Sequence, residues 1–194
     1  WERTQPEGDD LSPVAAVMAQ PYTVLLELAA LDGGDGTVTL EVHPEWAPLG
    51  AQRFAELLHA KYFDGCRFHR VVPGFIIQWG IPADPQLYSR FGDQKIKDDP
   101  VQTSNRKGTV SFATSGPNAR GSQMFVNLAD NTSLDEQGFA PFAVVVDGME
   151  HFERVHAGYA NRGPDQAQAK QKGNAYLARD FPKLSFIQTA TTRS

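Results

Sequence analysis

The stretch FHRVVPGFIIQWG, Phe68 to Gly80, carries one permanent charge, Arg70, and one side-chain amide, Gln78, in an apolar run broken by Pro73-Gly74. A guanidinium donates hydrogen bonds and is never deprotonated, so Arg70 can stabilise developing electron density but cannot act as a base. Taken alone, a surface arginine laying its stem over apolar neighbours is the simpler reading. Other patterns that could do chemistry fall short. Gly116 to Ser122 has the G-x4-G-S outline of a phosphate loop, but no lysine precedes the serine and the following residues alternate like a strand. Ser122 lacks the His/Asp pattern that would make it a nucleophile. Cys66 and His69 form a C-x-x-H with no second pair, short of the about four ligands a zinc ion takes. No metal site is expected, and the lone cysteine reads as a small buried or half-buried thiol at a strand start.

These residues need a scaffold, and the composition allows one. The chain has 194 residues, 41% hydrophobic and 21% charged, enough for one sizeable core. A net charge of −5 argues against nucleic acid, whose footprint would be a basic face. No apolar run approaches the ~18 residues that cross a bilayer, so no membrane insertion is expected. The chain begins at Trp1, and LSPVAAVMAQ ends in small residues like a signal-cleavage region. The preceding WERTQPEGDD is acidic where a basic segment is required. Residues 1–20 are therefore read as a flexible leader ahead of one domain over 21–194, in a compartment the chain does not name.

Elements follow from periodicity. Tyr22 to His43 reads as a hairpin: Val38, Leu40 and Val42 alternate with Thr37, Thr39 and Glu41, and DGGDG supplies the turn. From Pro48 to about Ala60 the spacing turns helical, with Phe54, Leu57 and Leu58 on one face. Short strands are expected at Cys66–Val71, Phe75–Gln78, Thr109–Ala113, Met124–Asn127, Phe142–Asp147 and Leu184–Gln188. A second helix is expected over Gly148–Ala157, with Phe152, Val155 and His156 inward. PDQAQAKQKGNAYLARD reads as a third, polar and solvent-facing. Many short strands and few helices make the fold mainly β, and a closed sheet would hide its edges.

FHRVVPGFIIQWG followed by SGPNARGSQMFV and then SLDEQGFAPFAVVVDGME resembles the cyclophilins, which are peptidyl-prolyl cis-trans isomerases. The resemblance spans roughly Tyr22 to Ile187, with residues 158–181 as a helical insertion near the C-terminus. It implies a closed eight-stranded antiparallel β-barrel capped by two α-helices, with the binding groove on its outer wall. It places the catalytic arginine at Arg70 and groove residues at His69, Phe75, Ile76, Gln78, Ala113, Thr114, Gln123, Phe125, Leu134 and Phe139. Of these, Phe75, Phe125 and Leu134 match the proline pocket. The implied substrates are proline-containing peptides and proteins, and the implied role is assistance to protein folding.

That reaction suits such a residue set. Rotation about a prolyl amide breaks C–N resonance, against a barrier of about 18–20 kcal/mol. No bond is made or broken, so no cofactor, nucleophile or acid–base pair is needed. What accelerates it is tighter binding of the twisted amide than of either planar form.

Several positions depart from the common family pattern. Thr114 stands where asparagine is usual, Ser133 where many members carry tryptophan, Trp79 where a small glycine follows the glutamine, and Phe139 in place of a histidine. Loss of the tryptophan wall implies weak binding of cyclosporin-type macrocycles. A second reading is a docking or scaffold subunit of this fold with little turnover, using the groove or the 158–181 insertion. Asn131-Thr132-Ser133 is an N-x-S sequon beside the groove, relevant only in a glycosylating compartment.

Overall fold

The computed structural model describes residues 20–159 and 162–193. The leader expected over residues 1–20 lies outside them, apart from Gln20. Nine strands form one curled antiparallel sheet, in the order β3-β9-β1-β2-β8-β6-β7-β5-β4. They are β1 (Tyr22–Ala29), β2 (Gly36–Val42), β3 (Cys66–Arg67), β4 (Arg70–Val72), β5 (Ile76–Trp79), β6 (Thr109–Phe112), β7 (Met124–Asn127), β8 (Pro141–Asp147) and β9 (Phe186–Arg193).

The strand count exceeds the expected eight because the strand expected over Cys66–Val71 is not continuous. Phe68 and His69 leave the ladder, with the Phe68 N–H donating to Ser185 O at 3.0 Å. What remains is β3, paired with β9, and β4, paired with β5. These are the two edges of the sheet, and among the described residues no ladder joins them; the chain itself links them through two residues. The last strand runs past the expected Gln188 to Arg193, because it pairs with β1 as far as Thr23.

Period two then sorts the side chains. Ile77 and Trp79 of β5, Val110 and Phe112 of β6, and Met124 and Val126 of β7 point into the main core with Val24, Leu26 and Leu40. The residues between them point to the outer wall. Trp79 is 1% exposed and lies within 6.2 Å of the Phe152 ring, so it is a core residue rather than a groove residue.

Two helices pack on this core. Helix α1 (Pro48–His59) buries Phe54, Leu57 and Leu58 as its spacing requires, and Phe54 meets Phe142 at 5.1 Å. Its N-cap, Ala47, has no side-chain acceptor. Asp99, from a distant loop, accepts the Leu49 and Gly50 N–H groups instead, at 3.1 and 2.8 Å. The helix ends in a Schellman arrangement with Lys61 in the left-handed region: Tyr62 N–H donates to Leu57 O and Lys61 N–H to Leu58 O. Helix α2 (Met149–Glu153) is shorter than the expected Gly148–Ala157; Phe152 and Val155 are buried and His156 is half-buried.

The expected third helix is two. Helices α3 (Gln166–Lys172) and α4 (Asn174–Asp180) meet at Gly173, whose φ of 55° and ψ of −142° stop the first. A Cβ there would sit 2.2 Å from Ala83 O, so the break requires glycine. Nor is the pair merely solvated. Ala169, Tyr176 and Leu177 form a second small core with Ile81 and Leu184.

Candidate active site

The outer wall of strands β4 to β7 carries a straight row of side chains. In register, Arg70 faces Gln78, Gln78 faces Phe125, and Phe125 faces Ser111. Adjacent strands lie about 4.8 Å apart, so two steps of sheet geometry bring one arginine, one amide and one phenyl ring together on one surface. Arg70 is exposed, whereas Gln78 is 8% and Phe125 3% exposed.

Gln123, just before β7, completes a polar chain. Its approach depends on Gly80, whose φ is 110° and where a Cβ would lie 2.2 Å from Ser122 O. The Ser122 hydroxyl donates to Gly80 O at 2.9 Å and ties the two segments together. Arg70 Nη1 donates to Gln78 Oε1 at 3.2 Å. Because arginine can only donate, Gln78 must present its oxygen to Arg70 and its NH₂ to Gln123, which accepts at 2.8 Å. Gln123 Oε1 also meets His69 Nε2 at 3.0 Å, so His69 carries its proton on Nε2 and donates it. The remaining Gln123 NH₂ donates to Gln166 Oε1 of α3 at 3.2 Å. Arg70 thereby sets the polarity of the chain.

His69 is 4% exposed, and burial pushes its imidazole down to about pKa 4, against the Gln123 hydrogen bond that pulls it up. It is neutral at ordinary pH and serves to hold Gln123. Cys66, fully buried at the start of β3, is equally unsuited to chemistry. Burial pushes its thiol up to about 12, and its sulfur meets Ile81 O at 3.1 Å.

Beside the polar chain lies an apolar cluster. Ile76, Phe125 and Leu134 are buried together, with Val72, Phe75, Ala113 and Phe139 partly buried against them. The Phe125 and Phe139 rings meet edge to face at 5.5 Å, an arrangement aromatic pairs prefer. Leu134 ends a 3-10 turn, Thr132–Leu134. Asp135 pins that turn by accepting from Asn105 N–H and Nδ2 at 2.9 and 2.7 Å, and Asn105 Nδ2 also donates to Phe139 O at 2.8 Å. Hydrogen bonds to Ser104 and Asn105 hold the Asp135 carboxyl below its ordinary pKa despite partial desolvation. Asn131 Nδ2 donates to Phe75 O at 2.9 Å and to Asn127 Oδ1 at 2.8 Å, so the sequon asparagine braces the cluster.

Ten of the eleven expected residues thus fall into a polar chain or the adjoining apolar cluster. Thr114 does not: its hydroxyl is turned to its own loop, where it accepts from Gly116 N–H at 3.2 Å, and it lines a neighbouring cavity. That cavity has a volume of about 210 Å³ and is shared with Gln166 and Lys170 of α3. Neither was anticipated, since a polar helical run carries no mark of what it lies against. Among the described residues, no group of three or more His, Cys, Asp or Glu is placed to hold a metal ion.

With this geometry in hand, comparison with known proteins points one way. The family model described as cyclophilin type peptidyl-prolyl cis-trans isomerase matches residues 26–174. Peptidyl-prolyl cis-trans isomerase A of Dickeya dadantii is 32% identical over 155 residues, covering 74% of this chain and 75% of that protein. Human peptidyl-prolyl cis-trans isomerase-like 3 is 33% identical over 126 residues, 62% of this chain and 76% of that protein. A solved cyclophilin type isomerase of Cryptosporidium parvum superposes with a TM-score of 0.63 at 23% identity, covering 90% of this chain and 98% of that one. A second structure of that protein, in the presence of the dipeptide Ala-Pro, gives a TM-score of 0.62, also at 23% identity, covering 89% of this chain and 99% of that one. At this identity the two structures bear on the fold alone.

Proposed function

The chain belongs to the cyclophilin-type peptidyl-prolyl cis-trans isomerases, and on that premise we propose that Arg70 is its catalytic residue and that the Phe75–Phe125–Leu134–Phe139 cluster seats the substrate proline. The observation that carries the reading is the cross-strand row Arg70–Gln78–Phe125, which sets one fixed donor beside an apolar cluster on the outer wall. As the amide twists, the proline nitrogen becomes pyramidal and regains a lone pair, which the guanidinium can meet. Gln78 and Gln123 orient that donor and the flanking peptide, while Ile76, Ala113 and the phenyl rings exclude water. His69 takes no proton; it positions Gln123. Thr114 borders the groove through its loop. The domain extends over residues 21–194, and its substrates are proline-containing peptides and proteins, as in assisted folding.

The test is exchange spectroscopy by NMR on an Xaa-Pro peptide with catalytic amounts of protein. An exchange rate well above that of the peptide alone is expected. Broadened or shifted peptide resonances without faster exchange would replace the enzymatic reading by the docking one. In that case the exposed Gln171, Lys172 and Arg179 of α3 and α4 become the surface to examine for a partner.

Ser133 is exposed on the 3-10 turn and offers neither a flat wall nor an indole donor. Weak affinity for cyclosporin-type macrocycles follows, and a fluorescence titration showing affinity equal to that of tryptophan-bearing relatives would contradict it.

A further inference from the structure

The cavity next to the groove has a sign. It shares Gln78, Ala113 and Gln123 with the proline site, so a peptide seated there passes its mouth. Its volume of about 210 Å³ is below the ~300–1,000 Å³ of small-molecule pockets and suits a single side chain. Two lysines line it, Lys95 and Lys170, and no carboxylate does. Lys95 comes from the loop facing Gly121, where its Nζ would lie 3.2 Å from an added Cβ. Lys170 comes from α3. Gln166 ties that helix to Gln123, and Lys170, four residues on, lies on the same helical face. Its ammonium also rests 5.4 Å from the centre of the Tyr88 ring.

Neither ammonium is ion-paired among the described residues. Asp93 accepts from the Tyr88 hydroxyl at 3.0 Å and lines an adjoining cavity that Tyr88 and Lys170 also line, but it forms no ion pair with Lys170 and does not line the first cavity. Around the first cavity, the remaining polar groups are neutral: Ser115, Ser122 and the amides of Gln123 and Gln166.

Resting on the isomerase reading above, we infer that this cavity selects substrates bearing an anionic side chain, carboxylate or phosphate, near the proline, with Lys170 and Lys95 as the specificity-determining residues. Helix α3 is then part of the substrate site, since it supplies one of the two charges and the amide that braces Gln123.

The test is a peptide set in which one position at a time, within three residues of the proline on either side, is Gln, Glu, phosphoserine or Lys. The kcat/KM for exchange is measured at low and high salt for wild type and for Lys95→Glu, Lys170→Glu and the double variant. At one position, wild type is expected to favour an anionic peptide over the Gln peptide by roughly 3- to 10-fold, less at high salt. The double variant is expected to reverse the preference toward Lys. Ratios within one protein cancel any change in folded fraction. A preference confined to phosphoserine identifies phosphate as the source, and one shared with Glu identifies the carboxylate. Wild-type ratios near one at every position overturn the inference, as does a preference that survives both charge reversals. Absence of exchange with every peptide, Gln included, would instead remove the isomerase reading beneath it.

Discussion

Arg70→Ala is expected to lower kcat/KM for Xaa-Pro exchange by roughly 10- to 150-fold, with most of the loss in kcat. The range is a charged hydrogen bond of about 1.5–3 kcal/mol converted at 1.36 kcal/mol per decade. The loss falls on kcat because the planar amide nitrogen has no lone pair to offer; the bond forms as resonance is lost, and so stabilises only the twisted state. A 10⁶-fold acceleration needs about 8 kcal/mol, so a substantial residual rate should survive in the variant, supplied by the apolar cluster and the glutamines. Arg70→Lys should recover only part of the loss, because an ammonium lacks the planar fork that meets Gln78 Oε1 at 3.2 Å while aiming a second donor elsewhere. Since Arg70 is exposed, thermal stability should barely move. Rates should also be flat from about pH 5 to 9, as arginine stays charged and His69 stays neutral above about pKa 4. NMR exchange rates for the two proteins decide the matter: equal values would strip the groove of its catalytic role.

The parts of this site that could be read from the chain are those governed by local period. The strands expected at Phe75–Gln78, Thr109–Ala113 and Met124–Asn127 form within one residue of those bounds, while their faces emerge only in the ladders, where Ile77, Val110, Phe112, Met124 and Val126 turn to the core. The resemblance carried by the two long motifs places Arg70, Gln78 and Phe125 in one groove, and the ladders add the register that sets them in one row. Trp79 shows the limit of matching without geometry: taken as a substitution beside the groove, it faces the opposite side from Gln78 and packs against Phe68 and Phe152.

What stayed hidden is long-range. Gln166 lies far from Gln123 in sequence, and a Gln- and Lys-rich helix looks solvated unless the sparse stripe of Ala169, Tyr176 and Leu177 is noticed. The interruption at Phe68–His69 has the same origin. His69 is drawn to Gln123 and Phe68 N–H to Ser185, so tertiary partners override a run with every local mark of one strand.

Asp99→Ala should be the most destabilising polar substitution in this molecule, by about 3–5 kcal/mol, because it removes one partner of a buried ion pair. Asp99 and Arg120 have side chains only 2% and 3% exposed and meet at 3.0 Å. The same carboxylate accepts the first-turn N–H groups of α1, whose own N-cap, Ala47, cannot. Its loss therefore leaves a buried guanidinium with the Lys97 carbonyl and, as its one acidic partner among the described residues, the more distant and half-exposed Asp98 at 3.5 Å, and it uncaps α1. Against a typical total of 5–15 kcal/mol, the result is a melting temperature lower by roughly 6–20 °C. Activity should fall with it near the transition, because Arg120 begins the segment that carries Gln123 to the groove and pairs with Ile96 as an isolated bridge. Adding Arg120→Met should recover part of the loss, since the orphaned charge, rather than the missing attraction, dominates the single variant. Urea denaturation of the two single variants and the double one measures the coupling. An Asp99→Ala change below about 1 kcal/mol, or a double variant less stable than both singles, would show that water reaches this pair and that α1 is held by its apolar face alone.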